Sequence, residues 1–202
     1  MDEGRNPEDL LNTISELFRN AEIEIKLAEQ MSGNIIIPAI NELRYAGNHL
    51  LKGLLASSPK EQREQYFRAL RHCQRAHYDA VEAVLLYLLD KFRTFQNDYE
   101  EVSIPAVWPD YAKHLSRFHE AHSLLKSVVK NPEDIDDLKD NREKLLGPTK
   151  EACNKLAPIV ALSDSVRIEL NKQIDTKRTS DLYARWTIAL ALISILVTLL
   201  AR

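Results

Sequence analysis

The stretch SPKEQREQYFRALRHCQRAHYDAVEAVLLYLLDKFRTF, Ser58 to Phe95, decides the fold. Ser58 followed by Pro59 and Glu61 is a capping box with proline at the first helical position. Phe67, Leu70, Cys73, His77, Val81, Val84, Leu88 and Phe92 then recur at three- and four-residue intervals, one apolar seam of a helix. No glycine or further proline interrupts the run. A helix of roughly 35 residues is about 50 Å long, enough to span a whole domain. The spacing predicts an all-α protein built along this helix.

On the N-terminal side, Asn6-Pro7-Glu8-Asp9 reads as a helix start, with acid near the positive end of the dipole. Leu10, Ile14, Leu17, Ala21 and Ala28 come next at helical spacing, and Ser32-Gly33-Asn34 breaks the pattern. Pro38 opens a second helix. Its expected apolar face is Ile36, Ile40, Leu43, Gly47, Leu50 and Leu54, with Gly47 permitting close packing. The short link near Ser57-Ser58 predicts an antiparallel hairpin with the long helix, setting position 44 level with 72 and 49 level with about 67.

On the C-terminal side, residues 96–108 read as a loop. Pro109 starts a fourth helix with Tyr111, Leu115, Phe118, His122, Leu125 and Val129 on its seam. Asn131-Pro132-Glu133-Asp134 caps a fifth, Gly147-Pro148 interrupts it, and Pro158 kinks the chain beyond. Ser163-Asp164 leads a last helix that continues into WTIALALISILVTLLA, Trp186 to Ala201, an uncharged run between Arg185 and Arg202. Such a run is about 24 Å of helix against a hydrocarbon core of roughly 30 Å. Snorkelling arginines and a thinned bilayer cover the deficit, and Tyr183 and Trp186 stand at the interfacial belt. The other reading of the run is a buried core helix. Lys172, Lys177, Arg178 and Arg185 precede it, which by the positive-inside rule puts the N-terminal part in the cytoplasm.

The expected organisation is an antiparallel helical bundle over 1–160, a juxtamembrane helix over 161–185 and a single-pass transmembrane tail anchor over 186–201. With 5 Gly and 8 Pro the chain lacks the turns of a sandwich or barrel, and no strand alternation or internal repeat occurs. Lys+Arg is 27 and Asp+Glu is 30, so the net charge of -3 argues against binding duplex DNA by neutralising phosphates. Cys73 and Cys153 form neither a zinc pattern nor a disulfide framework. No glycine-rich phosphate loop, HExxH or GxSxG is present, so neither metal nor cofactor is expected.

What remains for chemistry is arginine, histidine and helix geometry. Lys60, Arg68, Arg71 and Arg75 fall within an arc of roughly 80° on the long helix, with His72 at its edge. Glu64 sits within the stripe, four residues from both Lys60 and Arg68. Two readings stay open: a solvated, partly paired face, or a phosphate- or RNA-binding site at Arg68, Arg71, His72 and Arg75. Across the hairpin, Arg44-Tyr-Ala-Gly-Asn-His49 brings Arg44, Asn48 and His49 to the same level. Several arginines around two histidines would depress the imidazole pKa values and suit a phosphodiester. The small stripe Thr187, Ala191, Ser194 and Thr198 inside the anchor is a candidate oligomerisation face.

The spacing Arg44-x4-His49 in a small helical domain resembles the HEPN superfamily. Arg71 to His77 and Arg117 to His122 fit similar spacings, but those two histidines lie on apolar seams and read as satisfied core residues. The resemblance implies a helical bundle that often dimerises. In the family, His serves as acid or base and Arg stabilises charge on phosphorus in a metal-independent ribonuclease site, here Arg44 and His49. Some HEPN-like proteins are non-catalytic, and some accompany prokaryotic anti-phage systems as membrane accessories. The function expected is an oligomeric, membrane-anchored helical effector of prokaryotic defence that permeabilises the membrane. The alternatives are a membrane-tethered HEPN-like ribonuclease and a non-enzymatic tail-anchored adaptor. Expected partners are membrane lipid, further copies of the chain and, through the Arg–His residues, RNA or an RNA-guided protein.

Overall fold

The computed structural model describes the backbone of residues 6–129 and 135–200, and the side chains of 6–126 and 142–197. Among these residues every regular element is a helix: α1 (Pro7–Ser32), α2 (Ile37–Leu54), α3 (Pro59–Asp98), α4 (Ile104–Val107), α5 (Tyr111–Val129) and α6 (Ile135–Leu200). The expected cap at 131–134 lies outside the described residues.

Helix starts follow the capping chemistry. Asn6 Oδ1 accepts from the Glu8 N–H at 3.4 Å, and Ser58 Oγ accepts from the Glu61 N–H at 3.2 Å. α1 stops at Gly33, whose φ of 69° suits glycine in the left-handed region, and its N–H closes on the Glu29 carbonyl at 2.8 Å.

α3 runs for 40 residues, about 60 Å at 1.5 Å per residue, and is the axis of the molecule. Its buried residues include the expected Cys73, His77, Val81, Val84, Leu88 and Phe92. They also include Tyr66, Ala69, Ala76, Tyr78, Ala80, Leu85, Leu89 and Phe95, so one seam understates the burial. The excess arises because α1, α2, α5 and α6 all pack against α3.

α2 meets α3 through its smallest side chains. Ala39, Ala46 and Gly53 are buried, whereas Ile40 and Leu54, expected on the inner face, are exposed. The three small residues stand seven apart, two helical turns, and so form one line along the helix. Ala46 packs with Ala69 and Cys73, and Ala39 with Ala80. Gly53 replaces Gly47 as the point of closest approach. A Cβ on Gly53 would lie 2.6 Å from Tyr66 Cδ1, while one on Gly47 meets nothing within 4 Å.

α6 is continuous for 66 residues, through both Pro148 and Pro158. The expected interruption at 147–148 is absent. A proline inside a helix costs roughly 3 kcal/mol through its lost hydrogen bond and ring clash. Here a buried stripe, Thr149, Cys153, Leu156, Ile159, Ser163 and Leu170, begins directly after Pro148 and runs past Pro158, and the partly buried Leu146 packs on the core ahead of Pro148. Further along, the Tyr99 hydroxyl donates to Asn171 Oδ1 at 2.9 Å, and Lys177 Nζ donates to the Glu101 carbonyl at 2.9 Å. From Leu182 to Val197 the large apolar side chains are exposed, and none of the described chain covers them. An 18-residue window there is long and apolar enough to cross a membrane.

Substituting Gly53→Ala is expected to cost about 1–3 kcal/mol, because the methyl meets the immobile Tyr66 ring. Gly47→Ala is expected to be neutral or to stabilise by up to about 1 kcal/mol. Urea denaturation of both variants checks the pair; equal midpoints would contradict the close approach at Gly53.

Candidate functional site

α2 and α3 carry the candidate site, and their small-residue contact decides which polar groups meet. Because Ala39 and Ala46 face α3, Glu42 and His49 lie on the flank of α2 beside it. Position 49 lands beside Gln65 and His72, near the level the hairpin register predicts. His49 Nδ1 is 2.7 Å from Gln65 Oε1, and its ring stacks on His72 at 5.1 Å between centroids and 15° between planes.

His72 is tied to a carboxylate that no sequence motif singles out. Its Nδ1 lies 2.7 Å from Glu42 Oε2, and Arg75 Nε donates to the same oxygen at 2.8 Å. Arg75 Nη2 also approaches His72 Nδ1 at 2.6 Å. A neutral imidazole cannot serve both partners through one nitrogen: protonated, Nδ1 donates to Glu42; unprotonated, it accepts from Arg75. The Arg75 and Glu42 side chains are only 16% and 21% exposed, so this cluster belongs to the helix interface rather than to open surface.

Burial and pairing set the electrostatics of the cluster. Burial works against charge on Glu42, but the hydrogen bonds from Arg75 and His72 outweigh it, and its pKa lies below the ordinary carboxylate value. Burial pushes His72 below the usual imidazole value, Glu42 partly offsets this, and Arg75 reinforces it. His72 is therefore neutral near pH 7. The expectation that arginines depress the histidines holds for His72 only as a secondary cause.

The remaining site residues are dispersed. Arg44 is exposed, with its guanidinium 5.3 Å from the Tyr45 ring centroid, and Tyr45 in turn lies 5.5 Å from His72. Arg44 and His49 are five positions apart on one helix, about 140° around its axis, so they reach the cluster from different sides. Arg68 pairs with Glu64 at 2.6 Å on the surface, and Arg71 is exposed. The basic stripe thus divides: Arg75 turns inward to Glu42, while Arg68 and Arg71 stay in solvent. In the apolar C-terminal run, Thr187, Ala191 and Ser194 are exposed, and the Thr187 hydroxyl donates to the Tyr183 carbonyl at 2.8 Å. The Thr198 side chain lies outside the described residues.

Two histidines expected to be satisfied core residues are placed differently. His77 is buried, but neither ring nitrogen has a hydrogen-bond partner among the described residues. His122 is half-buried, stacks on Phe118 at 6.1 Å, and lines an open groove of about 670 Å³ with Leu86, Leu89, Arg93 and Lys126. Among the described residues no group of three or more His, Cys, Asp or Glu could hold a metal ion.

Chemically, the cluster offers two neighbouring imidazoles, one oriented by a carboxylate–arginine pair, with Arg44 and Arg71 outside. Glu42 escapes a reading of the sequence because an isolated glutamate on a helix carries no motif. Only the Ala39–Ala46 line, taken as the packing face, would turn it toward His72.

Replacing Glu42 with Ala is expected to cost about 1–3 kcal/mol, since it strips the charge-assisted partner from the mostly buried Arg75. The pH dependence has a definite sign. A carboxylate with a depressed folded pKa contributes stability above its ordinary value of 4.5, and that contribution is lost as pH falls through the folded value. Thermal denaturation from neutral pH down to about pH 3 should therefore show a smaller acid-induced loss in Glu42→Ala than in the wild type.

No protein-family model, no curated protein and no solved structure matches this chain.

Proposed function

We propose that the chain is a membrane protein in which α6 is both a bundle helix and the membrane anchor. The bundle stands on the cytoplasmic side as an antiparallel array and works as an effector that assembles and permeabilises the membrane. The observation that carries the reading is the division of α6. One part presses its buried stripe on α3, and the part from Leu182 to Val197 exposes large apolar side chains all round. A soluble monomer rarely exposes so large an apolar surface, whereas hydrocarbon would solvate it. The uncharged part of the helix, Trp186 to Leu200, is about 22 Å long against the roughly 30 Å of a bilayer core, and snorkelling of Arg185 with local thinning covers the deficit. In this reading Thr187, Ala191, Ser194 and Thr198 form the face between copies. Because Thr187 already donates within its own helix, the face acts through small size more than through hydrogen bonds between helices. Prokaryotic defence as the setting rests on the HEPN resemblance alone.

Deleting residues 182–202 should move the protein from membrane pellet to supernatant while its circular dichroism still shows a folded helical domain. Replacing both Ala191 and Ser194 with Leu should keep the protein in the pellet but yield a smaller species on crosslinking, with less dye leakage from vesicles. Full-length protein in the supernatant after alkaline extraction would refute the anchor. Unchanged mass and leakage in the double variant would make the anchor a plain tether, as an adaptor requires.

The second reading, a membrane-tethered metal-independent ribonuclease, is favoured by the stacked His49–His72 pair with Glu42 behind it. General acid–base catalysis contributes about 10²–10⁴-fold, so His49→Ala and His72→Ala should each lower cleavage of single-stranded RNA in EDTA by about that much. Cleavage at wild-type rate in either variant would remove that histidine from the reaction. No cleavage by the wild type would leave the effector reading.

A further inference from the structure

His77 sits where α1, α3 and α6 meet. It is 9% exposed, and neither ring nitrogen is hydrogen-bonded among the described residues. Buried polar groups are nearly always paired, so a bare imidazole in a core needs a reason. Its neighbours supply one. From α1, Glu24 places Oε1 4.0 Å from Nε2, beyond hydrogen-bond reach. From α6, Lys150 Nζ holds that same oxygen in a short ion pair. The Cys153 thiol, also on α6, points to the Val81 carbonyl at 3.6 Å. One carboxylate thus stands between a cation on α6 that has it and an imidazole on α3 that could take it.

We propose that His77 and Lys150 compete for Glu24, and that a proton on His77 transfers the carboxylate from α6 to α3, untying α6 from α1. The asymmetry of the two rivals decides which of them gives way. The Lys150 side chain is 51% exposed and can turn into water, whereas His77 is enclosed and cannot. Moving Glu24 by about 1 Å would bring Nε2–H into a charge-assisted hydrogen bond. α6 then loses its ion pair to α1, and the helix carrying the long apolar run is held near this level by its packing on α3, the Cys153–Val81 contact and the Arg142–Asp79 pair.

Linkage sets the sign. Burial holds His77 below its ordinary value of 6.5; Glu24 opposes this and Lys150 reinforces it. Loosening α6 admits water and returns the ring toward its ordinary value, so the loosened form binds the proton more tightly. Acid therefore favours loosening in the window below 6.5. The other groups around this junction do not share that effect. The Cys153 thiol is pushed up to about 12 by burial and stays neutral. Asp79, which holds Arg142 of α6 at 3.2 Å and faces Glu42, Glu82 and Arg75, has its carboxyl raised by burial to about 6. Its exposure would lower that value, so acid acting through Asp79 favours the closed form. The histidine and aspartate responses oppose each other, and substitution separates them.

Amide hydrogen exchange across residues 146–160 of the full-length protein in detergent micelles, corrected for intrinsic rates, tests the competition. Between about pH 7.5 and about pH 5.5 the wild type should lose roughly threefold in protection, the histidine's loss offset in part by the aspartate's opposing gain. His77→Phe, which keeps a ring but cannot take the proton, should lose no protection at the lower value and, with Asp79 left to act alone, should gain some. Lys150→Met should be weakly protected at both. Equal protection of the wild type at the two pH values overturns the proposal, and so does a loss that persists in His77→Phe. Should His77→Phe fail to fold, ring carbon NMR decides: removing Lys150 raises the His77 titration midpoint if the two cations share Glu24, and an unmoved midpoint overturns the competition.

Discussion

The distance between α2 and α3 is set by side chains of one carbon or none. Ala39, Ala46 and Gly53 face Ala69, Cys73, Ala80 and the flat ring of Tyr66, and the larger residues of α2 are turned to the flanks. That close approach has a polar consequence. Glu42 and His49, beside the small-residue line, are carried into partial burial and must find partners on α3. Gln65, His72 and Arg75 are those partners. The candidate site is thus a product of packing before it is a product of chemistry: the helices meet on small residues, and the flanking polar groups are forced into one cluster.

The second constraint is the enclosure of α3 by four other helices. A helix contacted by so many neighbours cannot keep every inward position apolar, and its buried polar residues mark where neighbours cross. Asp79 meets Arg142, His77 meets Glu24, and Asp98 beyond them pairs with Arg167 of α6 at 2.9 Å. At the far end an aromatic group closes the core. Phe92 lies 5.2 Å from Phe118 and Phe95 5.8 Å edge-on to Trp108, while Tyr111 accepts from Gln96 Nε2 at 2.9 Å. Aromatic pairs of this kind add about 0.5–1.5 kcal/mol each beyond their buried area.

Helix identity is legible in the sequence because caps and three-to-four periodicity are local. The starts at Asn6 and Ser58 and the stop at Gly33 depend on groups within a few residues of one another. Helix faces are less legible. Ile40 and Leu54 fit an apolar seam as well as Ala39 and Gly53 do, and hydropathy alone ranks isoleucine above alanine; the contact favours shape. Pro148 and Pro158 mislead for a related reason, since the stripe that carries α6 through them is a tertiary interaction. At the site, Arg75, His72 and His49 can be placed by register. Glu42 cannot, because its role exists only once α2 has been rotated onto its alanines.

α6 has one further mechanical consequence. At 66 residues it is a rod of roughly 100 Å, with no break between the part gripped by α3 and the part that would lie in lipid. Protein domains beside a membrane commonly hang from flexible linkers, which filter out torque. A continuous helix does not: its bending stiffness couples the direction of each part to that of the next. About nine residues, some 14 Å, separate Lys177, which hydrogen-bonds the Glu101 carbonyl, from Trp186. Any tilt of the helical domain is therefore passed on to the apolar segment, and were that segment in a bilayer, a change in thickness that tipped it would be felt at the α3 interface. With that segment in a bilayer, the molecule would act as a lever with its fulcrum at the headgroup layer.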